Sequence, residues 1–431
     1  MIKIVKSSEL EKNNIVQKTA ESTAITATVA MVIANVMKYG DEALRKYTKE
    51  YDRCTLDSFE LPRKALDNAT LGMDPEFIKV MERAARNIED FHSNQIQKGF
   101  DLPPKDGVII GQRVTPIERV GIYVPGGSAA YPSTVLMNCI PAKIAGVSEI
   151  ILATPPSADR KTGACNGADA HILAAAKIVG VDRIFTIGGA QAIAAMAYGT
   201  QTVPRVDKIT GPGNAYVAEA KRQVFGVVGI DMMAGPSDIL IIADKAASAA
   251  YITADMLSQC EHGTDSSAVL VTTSTSLAKK VRTEIEIQLL KLPREEIARE
   301  AIANHSMIII ADSIDEAFHI SNERAPEHLE VFLKEPFDYL DKIKNAGSVF
   351  LGEYSPEALG DYYAGPNHTI PTSGTARFSS QLSVDDFIKK TSYTYYSEEA
   401  LRAVGNDTIR FAEEEGLAGH AFSISKRLIK K

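Results

Sequence analysis

The stretch that decides the fold is Arg119-Val-Gly-Ile-Tyr-Val124, a short β-branched run that leads into Pro125-Gly126-Gly127 and then an alanine-containing helical pattern from Tyr131 onward. Runs of the same kind recur at Glu149–Thr154, Arg183–Ile187, Ile239–Ala243, Ala268–Thr273, Met307–Ala311 and Ser348–Leu351, with helical periodicity between them. Strands alternating with helices predict α/β units around mostly parallel sheets. The texture repeats on both sides of the turn-rich Gly235-Pro236-Ser237-Asp238, so two similar α/β lobes are expected, at 108–235 and 236–353, although no residue-level repeat is visible.

Outside the lobes the chain reads differently. Residues 1–107 predict a helical N-terminal arm: Ser22 to Tyr39 stops at Gly40, Asp41 is placed to cap the next segment, and Asp74 with Pro75 opens an amphipathic stretch to about Gln97. Residues 354–431 predict a loop-rich segment, turn-rich through Ser383, followed by a small helical unit from Ser397.

Composition narrows the function classes. The 431 residues are 45% hydrophobic and 24% charged, enough for a large core. A net charge of −8 excludes a global positive field for nucleic acid or anionic lipid, and the basic cluster Lys426, Arg427, Lys430, Lys431 is too short to change that. The most membrane-like run, Ala24 to Met37, contains Thr26, Thr28 and Asn35 and is too short for a bilayer; it predicts a buried helix capped by Ser22. Neither nucleic acid nor membrane is therefore expected as a partner. Cys54, Cys139, Cys165 and Cys260 form no CxxC pair and no dense framework, so neither a thiolate metal site nor a disulfide scaffold is expected, and a reducing cytoplasm fits.

Several short constellations bear chemistry, each with an ordinary alternative. Gln259 and His262, three apart near the end of the apolar-periodic segment Ala246 to Gln259, would share one helix face. Imidazole is a common zinc ligand and an amide oxygen an unusual one, so the pair taken alone reads more simply as carrying a structural histidine. Glu327-His328 sets a carboxylate beside an imidazole just after Pro326, which is placed to start a helical turn; the pair suits proton transfer, or is a solvated turn. Asp361 and His368 fall in the long loop, and Glu415 precedes His420 in the tail. Gln, His, Asp and His together would offer O and N donors to a borderline cation such as zinc. The glycine-rich turns Gly121–Gly127, Ile187–Ala194 and Gly211–Asn214 follow strands and precede helices, as ligand-cradling turns do, but none is GxGxxG, which argues against a standard dinucleotide pocket.

Taken together, GIYVPGGSAAYPSTVLMN, IGGAQAIAAMAYGT, KITGPGNAYVAEAKR, GIDMMAGPSDILIIAD, LSQCEHG, NERAPEHLEVFL, GDYYAGPNHTIPTSGTARFS and EEEGLAGHAFSISKR, in that order from about Ala27 to Arg427, resemble the histidinol dehydrogenase family. The resemblance implies two Rossmann-like lobes in an intertwined homodimer, with one Zn2+ per subunit and NAD as cofactors. It implies oxidation of L-histidinol through L-histidinal to L-histidine with two NAD+, the last steps of histidine biosynthesis. It also places zinc ligands at Gln259, His262, Asp361 and His420, and general acid/base residues at Glu327 and His328. Substrate contacts fall on Ser237, Gln259, His262, His328, Asp361, Glu415 and His420, with His368 nearby; NAD contacts fall on Tyr123, Gln191 and Asn214; His420 and Glu415 would come from the partner subunit. The chain departs from the family's usual pattern at Cys260, where a small residue is common, Gly263, where Asp is common, and Asp238, where Glu is common. Two other classes stand beside this reading: a metal-binding regulatory protein on the same fold, and an aldehyde dehydrogenase acting through a thioester on Cys139 or Cys260.

Overall fold

The structure is a computed structural model that describes residues 1–10, 23–126, 130–157, 165, 167–233 and 235–429; the expected cap Ser22 and glycine Gly127 lie outside the described residues, as do Lys430 and Lys431. Its strands in chain order are β1 (Lys3–Lys6), β2 (Phe100–Asp101), β3 (Val108–Pro116), β4 (Arg119–Tyr123), β5 (Glu149–Thr154), β6 (Arg183–Thr186) and β7 (Lys208–Thr210). They continue with β8 (Gly229–Ile230), β9 (Asp238–Ala243), β10 (Ser267–Thr272), β11 (Met307–Ile310), β12 (His328–Phe332), β13 (Ser348–Leu351) and β14 (Ile388–Tyr396).

Two compact units emerge. The first, Met1–Gln95 with Ile117–Phe387, contains two parallel sheets, ordered β6-β5-β4-β7-β8 and β1-β11-β10-β9-β12-β13. The second, Ile96–Pro116 with Ile388–Lys431, is an antiparallel sheet β14-β3-β2 together with the helices Glu398–Glu414 and Ala418–Leu428.

Each parallel sheet is buried on both faces, as helix-covered sheets must be. In the five-stranded sheet Val120, Ile122, Ile150, Leu152 and Ile184 enter one core while Tyr123, Ile151, Ala153, Phe185 and Ile209 enter the other. In the six-stranded sheet the same period of two sends Ile239, Ile241 and Leu270 to one side and Leu240, Ile242, Leu329 and Val331 to the opposite side. This alternation orients the site, because it turns His328 and Glu330 toward the side packed by Met256, Leu257 and Cys260 of the helix Ala249–Cys260.

Several expectations change. Residues 1–107 are not helical throughout, since Lys3–Lys6 pairs in parallel with Met307–Ile310 at the edge of the second sheet and Phe100–Asp101 pairs with β3. Nor is 354–431 only loop and helix, because Ile388–Tyr396 forms nine residues of strand against β3. Asp41 is the first helical residue after an N-cap at Gly40, and its carboxylate accepts from Thr202 instead of capping. Asp74 does cap the helix Pro75–His92, accepting from the Glu76 amide. Cys54 and Cys165 are joined in a disulfide, correcting the expectation of none; a pairing across 111 residues leaves no trace in local spacing. Among the described residues no helix is long and apolar enough to cross a membrane.

Candidate functional site

Glu327 and His328 do not start a helical turn, as the preceding proline suggested. His328 opens β12, registered beside β9, and both side chains are buried. Extension won because β9 and β13 pair with its backbone on both sides, while Leu329, Val331 and Phe332 fit a sheet interior. Asp238, the first residue of β9, grips both in turn. Its amide donates to Glu327 Oε2 at 2.9 Å, its Oδ1 accepts from the Glu327 amide at 3.1 Å, and its carbonyl accepts from His328 Nδ1 at 3.2 Å. A carbonyl only accepts, so Nδ1 carries the proton and Nε2 presents a lone pair in neutral His328. That Nε2 is buried without a hydrogen-bond partner, 3.8 Å from Asp361 Oδ1. Asp238 is held by Arg324, whose Nε lies 3.3 Å from Oδ2 and whose Nη2 donates to Ser267 Oγ at 2.7 Å.

The electrostatics follow from this packing. Burial raises the Glu327 carboxyl to about 8, against the pull of His328. Burial works to lower His328, but the carboxylates of Glu327 and Asp361 outweigh it and lift the imidazole to about 10. Burial also works against ionised Asp361, yet His328, with His368 and His262, holds it below the ordinary carboxylate range. Glu327 is therefore the group of the cluster brought toward neutrality, while the two carboxylates favour the charged imidazole of His328.

Asp361 was expected in a loop and lies in the short helix Glu357–Tyr362. Pro356 precedes that helix, and Glu357 enters the first turn with its backbone amide donating to Glu330 at 2.8 Å. His262 lies beyond the C-cap of the helix Ala249–Cys260, not on its face; its Nδ1 donates to the Ser258 carbonyl at 3.2 Å, which leaves Nε2 with its lone pair available to a ligand. Gln259 is buried with both amide atoms unpartnered. Such orphaned atoms call for a ligand, so Gln259, His262 and Asp361 suit a cation of zinc's type. They do not complete a tetrahedral set by themselves: among the described residues no group of three or more His, Cys, Asp or Glu side chains forms a metal cluster.

A cavity of about 300 Å³ opens beside Asp361, lined by it with His328 and His368, and with Phe350, Leu359 and Ile370 as its apolar wall. His368 joins the lobes there: Nδ1 donates to the Asp361 carbonyl at 2.9 Å and Nε2 lies 3.5 Å from Thr134 Oγ1, on the helix Pro132–Ala145. Ser237 sits just before β9, where its carbonyl accepts from the Ser267 amide. Glu415 and His420 belong to the second unit and line a shallow pocket there with Phe411 and Leu417.

The glycine-rich turns lie at the carboxyl edge of the five-stranded sheet, where β5 flanks β4 on one side and β7 on the other. That reversal of strand order is where open α/β sheets bind ligands. Tyr123 ends β4 and its hydroxyl accepts from the Gly189 amide at 3.0 Å. Gln191 is buried in the first turn of the helix Gly189–Tyr198, its Nε2 without a partner. Asn214 caps the helix Ala215–Val224, its side chain accepting from the Tyr216 and Val217 amides. Gly211 has φ +109, and a Cβ there would stand 2.0 Å from the Tyr123 carbonyl oxygen. The buried Lys221–Asp231 pair holds Gly211 from both ends, Lys221 donating to its carbonyl at 3.0 Å and its amide donating to Asp231 at 2.8 Å.

Sequence reading missed the parts that hold these groups: Arg324, Glu330 and Glu357, and the grip that Asp238 exerts. One signal was available, a glutamate at position 330 amid Leu329, Val331 and Phe332, where a strand interior admits a carboxylate only with partners.

Fold and site define an α/β enzyme built on a buried carboxylate–imidazole pair beside oxygen and nitrogen donors. A family model described as histidinol dehydrogenase matches residues 16–428, and the chain belongs to that family. It is 52% identical over 407 residues to a histidinol dehydrogenase of Clostridium acetobutylicum, covering 94% of this chain and 93% of that one. It is 51% identical over 417 residues to one of Bacillus cereus, covering 97% and 94%. The crystal structure of histidinol dehydrogenase from Elizabethkingia anophelis superposes with a TM-score of 0.91 at 39% identity, covering 99% of this chain and 98% of that one.

Proposed function

We propose that this protein oxidises L-histidinol through L-histidinal to L-histidine with two NAD+, completing histidine biosynthesis in the cytoplasm. The observation that carries this reading is His328, whose Nδ1 is committed to the Asp238 carbonyl while its unpartnered Nε2 is turned to Asp361 beside the cavity. When bound, NAD accepts a hydride in each oxidation and zinc holds the substrate's amine and imidazole in place. Gln259, His262 and Asp361 would hold the metal, with the partner subunit's His420 as fourth ligand and the partner subunit's Glu415 at the substrate; Ser237 and His368 complete the substrate's surroundings. Tyr123, Gln191 and Asn214 would hold the dinucleotide.

With Asp361 committed to the metal, His328 would lose one of the carboxylates that raise it, and it takes the hydroxyl proton at Nε2 in the first oxidation. Glu327 then takes a proton from the water that adds to the aldehyde, a role suited to a carboxyl raised toward neutrality. As water adds, His328 gives its proton to the former carbonyl oxygen, and it takes a hydroxyl proton again as the hydrated aldehyde loses its second hydride. Enclosure keeps the reactive amino aldehyde from escaping. A thioester route lacks support, because Cys139 and Cys260 are both buried, and burial pushes the Cys139 thiol well up and the Cys260 thiol up to about 12.

Purified protein with histidinol and NAD tests the reading through the absorbance of reduced cofactor. Two reduced cofactors per histidinol, abolished by a strong chelator and restored by zinc, are expected. One per histidinol would mean a simple alcohol dehydrogenase, none would support a regulatory protein, and full turnover in demonstrably metal-free protein would remove zinc from the mechanism.

A further inference from the structure

Three elements meet at the site: β12 with His328, the helix Glu357–Tyr362 with Asp361, and the helix Ala249–Cys260 that leads to His262. Two of them contribute a buried carboxylate and the third a half-buried serine to a set of hydrogen bonds linked through the frames of Glu357 and Ser258. Glu330, two residues beyond His328 and on the same face of the strand, accepts from the Glu357 amide at 2.8 Å. Glu357, one helical turn before Asp361, accepts from the Ser258 hydroxyl at 3.3 Å. The Ser258 carbonyl accepts from His262 Nδ1 at 3.2 Å.

We propose that Glu330 and Glu357 are positioning residues that, through Ser258, set the ring orientation of His262 and its placement relative to Asp361 and His328. The first reason is connectivity, since among the described residues the bond to the Ser258 carbonyl is what orients the His262 ring, and Ser258 is tied through Glu357 and Glu330 to the elements bearing the other two groups. The second is expense. Glu330 and Glu357 are each about 1% exposed, and each keeps one oxygen without a hydrogen-bond partner. Apolar side chains would fill the same interior without that desolvation cost, so packing alone does not account for two acids here. Burial raises Glu330 well above the ordinary range, reinforced by Asp255 beside it, and raises Glu357 to about 7. A protonated pair can keep these bonds without stacking full charges.

The inference rests on the metal reading above only for one of its two readouts. Compare Glu357→Ala, Glu357→Gln and Ser258→Ala with the unaltered full chain. Measure the zinc dissociation constant by competition with a chromophoric chelator, and the His262 tautomer in metal-free, histidine-labelled protein by nitrogen NMR. Glu357→Ala and Ser258→Ala should each weaken zinc about 10-fold or more, the size seen when partners of metal ligands are removed. The double variant should add little, because both cut the same chain. In both single variants the Nδ1–H form of His262 should give way to a mixture. Glu357→Gln keeps the acceptor and should stay within about threefold. The proposal is overturned if both truncations bind zinc within twofold and leave the tautomer unchanged, or if Glu357→Gln loses as much as Glu357→Ala. Should the unaltered chain take up no zinc, the metal reading fails and the tautomer alone decides. Should Glu357→Ala fail to fold, Ser258→Ala decides.

Discussion

Replacing Asp238 by Asn tests the grip on the acid–base pair. The amide keeps an oxygen for the Glu327 backbone, and the main-chain bonds to Glu327 Oε2 and His328 Nδ1 remain. What disappears is the charge that faces Arg324 across 3.3 Å, at side chains only 7% and 3% exposed. Breaking a buried pair from one side costs about 3–5 kcal/mol, and the retained amide dipole and the Ser267 contact place the loss near ~3 kcal/mol. A second effect has a definite sign. Burial is the main reason that Glu327 is raised, but Asp238 adds to it, so neutralising Asp238 lowers Glu327. The pH limb of aldehyde oxidation that reports Glu327 ionisation should therefore move to lower pH, while rates well above it hold. Urea unfolding of both proteins at matched pH and protein concentration measures the first effect, and steady-state rates with supplied histidinal against pH measure the second. A stability within ~0.5 kcal/mol of the unaltered protein, together with an unmoved limb, would refute this account of Asp238.

Glu327→Gln keeps the shape but removes the base for water, so oxidation of supplied histidinal should fall more than oxidation of histidinol to the aldehyde; equal losses would refute the assigned division of labour with His328. Cys139→Ala and Cys260→Ala, singly and together, should leave most of the turnover, because neither buried thiol is nucleophilic near neutrality; a loss of several orders of magnitude in folded protein would restore the thioester route. His262→Ala and His420→Ala, each inactive alone, should recover roughly a quarter of normal activity when unfolded chains of both are refolded together, since half the random dimers are mixed and one of their two sites is intact. Mixed, zinc-loaded dimers as inactive as their parents would place His420 in its own subunit.

The parallel sheets were legible because their strands carry β-branched runs flanked by turn residues, and β5 and β13 begin and end where those runs do. What escaped was every strand whose signal is set by its neighbours. The residues of β12 include His328 and Glu330, two charged or polar groups in five, and only the flanking β9 and β13 make extension the better use of their amides. Strand β14 carries Lys389, Lys390, Thr391 and Ser392, which read as loop, and is stabilised by pairing with β3 some 280 residues away by count from Val108 to Ile388. The disulfide was hidden for the same reason.

At the site the division is sharper. The residues proposed to meet ligand announce themselves by type: imidazoles, carboxylates and glycines have few reasons to recur in short ordered motifs. The residues that aim them do not, because the aiming atoms are largely main chain. His328 is oriented by the carbonyl of Asp238, His262 by that of Ser258 and His368 supplies its Nδ1 proton to that of Asp361. Every residue owns a carbonyl, so no side-chain pattern encodes such a contact. It arises only when the fold brings a particular peptide to a particular ring. This also explains how Gly263 stands where the resemblance leads one to expect an aspartate. The proton on His262 Nδ1 already has an acceptor one helical turn back, and the ring keeps Nε2 for a ligand without any carboxylate from position 263.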